Sequence, residues 1–377
     1  MSCLPSRSSL LYRKGSVCRP PAKLLRGRCQ QHKQILSTIL GHGLSEVSAN
    51  RLYSSLRMPS ISDATADVTV GGKSYAVKTI SLSDEVPAFK CLEPAEASFL
   101  YKQIFEEADY TQFGISISPG DVVVDIGGNI GAFAVYAILK NKGNISIYAF
   151  EPVPILAHIC QANMELYKGK DTEYKVFTLG LTAPDKVGKI AFDFFPEYSL
   201  LSSAYDWDPS DRDAIAQKLL QFEGSNDPAR LEELRQRVGD SLRKEVVEAE
   251  LRTFSSVRQE LGLKRIDLLK IDVEKAEWDV VCGISDDDWA MTRQAAIETH
   301  VIGDRVERIA QLLRDKGFSR VHVGEVGTPK FLGFKYYNKL HPEGDTPAAV
   351  VPNGGDDKAA TAAAGGGLVC NIYATRD

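Results

Sequence analysis

The sequence D-V-V-V-D-I-G-G-N-I-G-A-F-A at residues 121–134 decides the fold prediction. It consists of an apolar strand that ends at Asp125, a glycine-rich turn and the start of a helix. Glycines permit sharp turns and the close approach of a ligand, because they lack a Cβ atom. The G-x-G-x-x-G dinucleotide fingerprint does not fit, since Asn129 stands two residues after Gly127. The pattern D-x-G-x-x-x-G fits, and Gly131 completes it.

A second signal lies at the end of the next predicted strand. The sequence I-S-I-Y-A-F-E-P places Glu151 26 residues after Asp125. A carboxylate there can accept two hydrogen bonds from the ribose hydroxyls of a nucleoside that lies across the strand ends. The alternative is a domain in which the glycines serve only helix–strand packing and Glu151 is solvated.

A third segment, I-D-L-L-K-I-D-V-E-K-A-E-W-D-V-V at residues 266–281, carries three charged residues at period two. Lys270, Asp272 and Glu274 therefore lie on one side of an extended chain. A lysine in a central strand is costly to bury unless it is paired, and the two carboxylates are the obvious partners. We expect a charged cluster at the carboxyl end of this strand, where ligands of open α/β sheets bind.

Apolar strand-like runs alternate with helical stretches from Gly120 onward, which predicts a parallel sheet covered by helices on both faces. The first runs are 122–125, 132–140, 145–151, 155–167 and 174–181. The later elements are strands over 247–253, 266–271, 295–299 and 368–374, and a helix with a capping box of Asp304 and Glu307 that Gly317 ends. Before Gly120 we expect a hairpin near 66–90 and a helix over 93–107.

We divide the chain into three regions. Residues 1–60 form a leader, residues 61–115 an N-terminal extension and residues 116–377 the α/β domain. The α/β domain contains a charged helical insertion at 197–245 and a low-complexity, disordered insertion at 341–367.

The leader is basic and the rest of the chain is acidic. Residues 1–60 hold ten Lys and Arg against one acidic residue, whereas the remainder holds 35 basic against 49 acidic residues. Such a leader is typical of a mitochondrial or chloroplast transit peptide, with a disordered basic tail of a cytoplasmic protein as the alternative. The acidic body disfavours nucleic-acid binding. The longest apolar stretch, 131–139, is too short for a membrane span.

The three motifs together resemble the FkbM-type methyltransferases, class I enzymes that use S-adenosylmethionine (SAM) and O-methylate hydroxyls on small molecules. The resemblance implies a Rossmann-like α/β fold with a mostly parallel, seven-stranded, doubly wound sheet. It also implies a small-molecule acceptor and SAM as the cofactor. The implied cofactor-binding residues are Asp125, Gly127, Gly128, Asn129, Gly131, Glu151 and Asp272. This sequence departs from the family at Gly128, where Ala is more common, and at Lys275, where Gly is more common.

A hydroxyl acceptor benefits from a general base. The catalytic candidates are Asp272, Glu298 and His300, with Glu274 beside them, and an ordinary histidine has a pKa of about 6.5. His300 is equally compatible with a hydrogen-bonded wall residue. Asp272 and Glu298 could instead bind a divalent cation, but no closer ligand spacing supports this, and no metal is predicted.

Three further alternatives remain open at this stage. A patch containing Tyr198, Ser202, Ser203, Tyr205 and Trp207 either lines the acceptor pocket or packs on the insertion. The chain could be a catalytically silent SAM-binding or nucleoside-binding subunit that acts as an interaction protein. An oxidoreductase with an NAD domain is the least favoured of the functions considered, because the glycine spacing does not match the dinucleotide fingerprint.

Overall fold

The computed structural model describes residues 61–196, 199, 202–203, 216–217, 220, 226–241, 244–326 and 368–376. The chain separates into two units, Met1–Met58 and Pro59–Asp377, and the described residues all belong to the second. The predicted leader and the predicted insertion at 341–367 lie outside the described residues, and so does most of 197–225.

The described strands and helices follow the chain in this order. The strands are β1 (Ile61–Val70), β2 (Lys73–Ile80), β3 (Phe89–Cys91), β4 (Val122–Ile126), β5 (Ile145–Phe150), β6 (Thr172–Phe177), β7 (Gly180–Leu181), β8 (Gly188–Phe194), β9 (Glu245–Arg252), β10 (Leu268–Ile271), β11 (Gln294–His300), β12 (Arg320–Val323) and β13 (Val369–Thr375). The α-helices are α1 (Pro94–Tyr101), α2 (Ala132–Lys140), α3 (Pro154–Tyr167), α4 (Pro228–Ser241), α5 (Phe254–Leu261), α6 (Glu277–Cys282), α7 (Asp286–Ala290) and α8 (Arg305–Asp315).

Seven strands form the central sheet in the order β12-β13-β11-β10-β4-β5-β6. The pairs within β11-β10-β4-β5-β6 are parallel, and β13 runs antiparallel to both of its neighbours. The sheet is buried on both faces, because Val123 and Leu268 join one apolar cluster while Val124 and Leu269 join the other. The predicted Rossmann-like, mostly parallel, doubly wound sheet of seven strands is confirmed.

The N-terminal extension forms a three-stranded antiparallel sheet, β1-β2-β3, followed by α1. Gly71 and Gly72 connect β1 to β2 with φ values of +59° and +79°, as a two-residue hairpin turn of the mirror-image type requires. The helix expected over 93–107 is α-helical only as far as Tyr101. It continues as a π-helical turn over Lys102–Glu106.

Two details of the predicted α/β domain were wrong. The strand expected over 247–253 is β9, which pairs with β7 and β8 in a separate three-stranded sheet rather than in the central sheet. Its period-two alternation of apolar and charged residues is typical of a strand with one solvated face, unlike the continuous apolar strands of a buried parallel sheet. Asp304 stands at the N-cap of α8 without a side-chain capping bond, whereas Ser285 and Asp288 form a capping box at α7.

In the part of the chain that the structure describes, no helix has both the length and the apolar character that crossing a bilayer requires.

Candidate functional site

A cavity of about 400 Å³ opens at the carboxyl ends of β4, β5 and β10. These three strands are parallel neighbours, so the residues that follow them meet at one edge of the sheet. Six of the predicted cofactor-binding and catalytic residues line the cavity: Gly127, Gly128, Asn129, Glu151, Asp272 and Glu274. The other four, Asp125, Gly131, Glu298 and His300, are not among its lining residues.

The glycine loop is tied to the end of β5, since the amides of Gly127 and Gly128 both donate to the carbonyl of Phe150 at 3.0 Å. Gly127 has a φ of +83°, and a Cβ atom there would lie 1.7 Å from the carbonyl oxygen of Asp272. Only glycine fits this position. At Gly128 a Cβ atom would lie 3.4 Å from that of Ala149, an ordinary contact.

Gly131 stands where the loop enters α2. Its φ is +83°, and a Cβ atom there would lie 3.1 Å from the Cα atom of Cys160 on α3. Gly131 therefore allows α2 and α3 to approach each other beneath the loop. Asn129 also has a left-handed backbone, with a φ of +45°, and its side-chain oxygen accepts a hydrogen bond from the amide of Ile130 at 2.6 Å.

Glu151 lies at the end of β5 with 5% of its surface exposed. Its Oε2 atom accepts from the amide of Asn129 at 2.9 Å, and its Oε1 atom accepts from the amide of Val153 at 2.9 Å. Each carboxylate oxygen keeps a further acceptor position. Burial raises the pKa of Glu151 to about 7, although the two backbone hydrogen bonds oppose the shift.

Lys270 is the centre of the charged cluster and is 3% exposed. Its Nζ atom lies 3.0 Å from Oδ1 of Asp125 and 3.7 Å from Oδ2 of Asp272, and it donates to the carbonyl of Gly127 at 2.7 Å. Burial alone would lower the pKa of Lys270, but the carboxylates of Asp125 and Asp272 raise it. The lysine thus stays charged and links the glycine loop to the central strand.

Asp125 is fully buried behind the loop, and its Oδ2 atom has no hydrogen-bond partner among the described residues. Burial raises its pKa, while Lys270 opposes the shift. The ammonium group of Lys270 links Asp125 to the carbonyl of Gly127, and Asp125 is not among the lining residues, which indicates a supporting position.

Sequence reasoning missed Tyr110, which lines the cavity and donates from its hydroxyl group to Oδ2 of Asp272 at 2.7 Å. Its ring also lies over the ammonium group of Lys270, 5.2 Å from the ring centroid. The two partners Tyr110 and Asp272 are 162 residues apart, and no local motif links them. No signal in a single sequence could have identified the pair.

A second missed contact joins the glycine loop to the N-terminal extension. Ser199 donates to Oε2 of Glu96 at 2.8 Å, and the side-chain amide of Asn129 donates to Ser199 at 3.3 Å. In the polar patch predicted from sequence, Ser202 lines the cavity and Ser203 donates to the carbonyl of Glu274 at 2.7 Å. The aromatic members of that patch, Tyr198, Tyr205 and Trp207, lie outside the described residues.

His300 ends β11 and binds a carboxylate through each ring nitrogen. Nδ1 lies 3.0 Å from Oε1 of Glu277, and Nε2 lies 3.3 Å from Oε2 of Glu274. Burial alone would lower the pKa of His300, but the two carboxylates raise it to about 10. Both ring nitrogens are engaged by carboxylates, and the amide of Lys275 also lies 3.3 Å from Nδ1, so the geometry favours a structural contact over the role of base.

Glu298 lies near the other carboxylates of this edge. Burial and the negative charges of Asp272 and Glu274 raise its pKa well above the ordinary value for glutamate. Within the described ranges, no group of three or more His, Cys, Asp or Glu side chains is placed to hold a metal ion.

The chain is similar to known methyltransferases. A sequence model described as the methyltransferase FkbM domain matches residues 125–320. The 31-O-demethyl-FK506 methyltransferase FkbM of Streptomyces tacrolimicus is 34% identical over 230 residues, which cover 60% of this chain and 83% of that protein. The AMB antimetabolite synthetase AmbE of Pseudomonas aeruginosa is 34% identical over 231 residues, which cover 59% of this chain and 11% of that protein.

Among solved structures, phosphoethanolamine N-methyltransferase 2 of Haemonchus contortus in complex with S-adenosyl-L-methionine aligns with 12% identity and a TM-score of 0.33. The alignment covers 74% of this chain and 56% of that chain.

Proposed function

The chain belongs to the FkbM methyltransferase family, and from this premise we propose that it transfers a methyl group from SAM to a hydroxyl group of a small molecule. The main support for the proposal is that the Gly127 turn and the Glu151 carboxylate line the same cavity, at the ends of two adjacent strands. A nucleoside needs a backbone that it can approach closely and an acceptor for its ribose hydroxyls, and the cavity offers both.

The residues present fit SAM. Because Gly127 lacks a Cβ atom, the loop can pack against the turn after β10. A larger residue at this position would prevent that packing. At Glu151 the backbone amides use one acceptor position of each oxygen and leave another for a ribose hydroxyl. Gly127, Gly128, Asn129 and Glu151 would hold the cofactor, and Asp125 and Gly131 would support the loop from behind.

SAM, when bound, supplies a methyl group activated on a sulfonium. The protein must then orient the acceptor hydroxyl, exclude water and remove one proton. Asp272 lines the cavity, and Tyr110 and Lys270 engage its Oδ2 atom. The Oδ1 atom of Asp272 is therefore our candidate for accepting the proton. Orientation can contribute about 7 to 11 kcal/mol, whereas a general base contributes about 100- to 10,000-fold in rate.

The rest of the cavity wall supports an acceptor with a substantial apolar surface. Four segments contribute apolar side chains to the lining: α1, the π-helical turn that follows it, α2 and the small sheet β7-β9-β8. These side chains include Leu100, Ile104, Phe133, Ile190, Phe192 and Leu251. Apolar walls with a few convergent polar groups are typical of small-molecule sites. The name of the relative 31-O-demethyl-FK506 methyltransferase, which specifies a small-molecule hydroxyl as the substrate, supports the same acceptor class.

The test is a search for the labelled product. Purified protein is incubated with trideuteromethyl-labelled SAM and a small-molecule extract, and mass spectrometry records which metabolites gain the labelled methyl group. We expect a hydroxylated metabolite to gain it with the wild-type protein. We also expect Asp272→Asn to retain SAM binding and to form little of that product. SAM binding without any labelled product would favour the silent SAM-binding subunit instead.

A further inference from the structure

Two residues of the turn after β10 have an unfavourable backbone conformation. Glu274 has a φ of +45° and Lys275 has a φ of +76°, although neither is a glycine. Left-handed conformations cost ordinary residues free energy and persist only where the surrounding structure holds them. This turn carries Asp272, Val273 and Glu274 into the cavity lining, so whatever holds it also fixes the candidate site.

His300 connects the two ends of this turn. Its Nε2 atom lies 3.3 Å from Glu274 within the turn, and its Nδ1 atom lies 3.0 Å from Glu277 at the start of α6. The amide of Lys275 donates to the same Oε1 atom of Glu277 at 2.7 Å. His300, which is 5% exposed, thus lies between Glu274, the first left-handed residue, and Glu277, the first residue of α6.

Two further donors hold the carbonyl groups of the left-handed residues. Arg305, the first residue of α8, donates to the carbonyl of Lys275 at 2.6 Å and to Oε2 of Glu277 at 2.5 Å. Ser203 donates to the carbonyl of Glu274 at 2.7 Å. Side chains from other segments therefore hold both carbonyls, and His300 contacts the side chain of Glu274.

We propose that His300 is a positioning residue, which holds the turn at residues 272–276 in its left-handed form by bridging Glu274 and Glu277. The inference rests on the proposed function in one respect, which is that the turn forms part of the active site. The charges that face His300 come from the turn, from Glu277 on α6, from Arg305 on α8 and from Glu298 on its own strand. The raised pKa of His300, about 10, keeps the bridge charged throughout the neutral range.

The test relieves the backbone strain of the turn by substitution with glycine. Because glycine adopts a positive φ without cost, Lys275→Gly should remove much of the need for the bridge. Lys142, an exposed lysine with a φ of +53° in the turn after α2, offers a matched control. Amide hydrogen exchange is measured at residues 273–276 in wild type, His300→Gln, His300→Gln with Lys275→Gly, and His300→Gln with Lys142→Gly.

We expect His300→Gln to speed exchange in the turn about fivefold or more, and Lys275→Gly to restore most of the protection while Lys142→Gly restores none. Unchanged exchange in His300→Gln, or equal rescue by both glycines, would overturn the proposal. Nitrogen-15 NMR of the imidazole gives a second readout, since both ring nitrogens should stay protonated at pH 8 in wild type. A neutral ring at pH 8 would also overturn it. Neither measurement requires an acceptor, so a failure here is distinct from a failure of the proposed methyl transfer.

Discussion

At the scale of single residues, Glu151 combines its proposed role in SAM binding with a pKa near neutral. Its pKa in the folded protein, about 7, lies above the ordinary value because the carboxyl is buried. A raised carboxyl pKa means that ionisation opposes folding. The stabilising contribution is complete below the unfolded pKa of about 4.3 and is lost as the pH rises through 7.

The affinity for SAM should therefore depend on pH. Ribose hydroxyls donate to the ionised carboxylate of Glu151, so binding should lower its pKa and release protons near neutral pH. We expect titration calorimetry to show tighter binding at pH 8 than at pH 6. Glu151→Gln should bind SAM at least tenfold more weakly, because a charge-assisted hydrogen bond contributes about 1.5 to 3 kcal/mol.

The comparison with Glu151→Gln is also the control, since SAM itself has titratable groups. The variant should lose most of the difference between pH 6 and pH 8. If Glu151→Gln and the wild type show the same pH dependence, Glu151 does not hold the ribose.

The two adjacent loop glycines should respond very differently to alanine. At Gly127 an added methyl group meets the backbone of Asp272 and the φ is +83°, so Gly127→Ala should displace the loop and cost several kcal/mol of stability. Gly128→Ala makes only an ordinary contact and should leave stability and SAM affinity near wild type. Urea denaturation and calorimetry of both variants measure this; equal effects would contradict the assigned loop geometry.

The sequence predicted the site residues that lie directly after strands, because such positions follow from local patterning. Glu151 and Asp272 were found in this way, and both line the cavity. Tyr110 could not be found, since its hydrogen bond to Asp272 spans 162 residues. The sequence left open whether His300 is a base or a hydrogen-bonded wall residue, and its two carboxylate partners were hidden because they depend on how the turn before α6 folds back.

At the scale of elements, local periodicity predicted six of the seven strands of the central sheet and missed the edge strand β12. Local periodicity predicted β13 despite the long segment that separates it from β12, since Leu368–Ala374 is apolar apart from Asn371. It assigned β9 to the wrong sheet, because strand pairing is a long-range property that one strand's pattern does not encode. It placed a capping box at Asp304, where the backbone geometry does not bring the side chain onto the helix amides.

The position of β13 between β11 and β12 predicts a strong contrast between paired residues. Ile372 of β13 is fully buried and is the register partner of Val323 on the edge strand β12, which is 37% exposed. Ile372→Asp buries an unpaired charge and should cost more than about 4 kcal/mol, whereas Val323→Asp should cost less than about 1 kcal/mol. Urea denaturation distinguishes the two, and comparable losses would argue against the sheet order.

At the scale of the whole molecule, the core methyltransferase sheet supplies the loop and the carboxylates, while segments outside it complete the cavity. Leu100 and Tyr110 come from the N-terminal extension, and Phe192 and Leu251 come from the small sheet. The sequence patterns of the central sheet identified the cavity residues that follow its strands. They carried no information on the apolar walls of the cavity, because those walls depend on packing between separate sheets.

We propose that the basic leader is an organellar targeting signal and is dispensable for folding. A chain that begins at Pro59 retains every described element and should melt at the same temperature as the full chain. Residues 1–60 fused to a fluorescent protein should direct it to mitochondria or chloroplasts. A lower melting temperature on truncation would indicate a structural role for the leader. Diffuse cytoplasmic fluorescence of the fusion protein would contradict its role as a targeting signal.

The most direct test of the central claim, a SAM site formed by the glycine loop and Glu151, is calorimetric titration of the purified protein with SAM, S-adenosylhomocysteine and NADH. The account predicts that SAM and S-adenosylhomocysteine bind at one site per chain, that NADH does not bind, and that Glu151→Gln weakens both nucleosides. Binding of NADH with no response to SAM would contradict the claim, and so would SAM affinity that is unaffected in a folded Glu151→Gln variant.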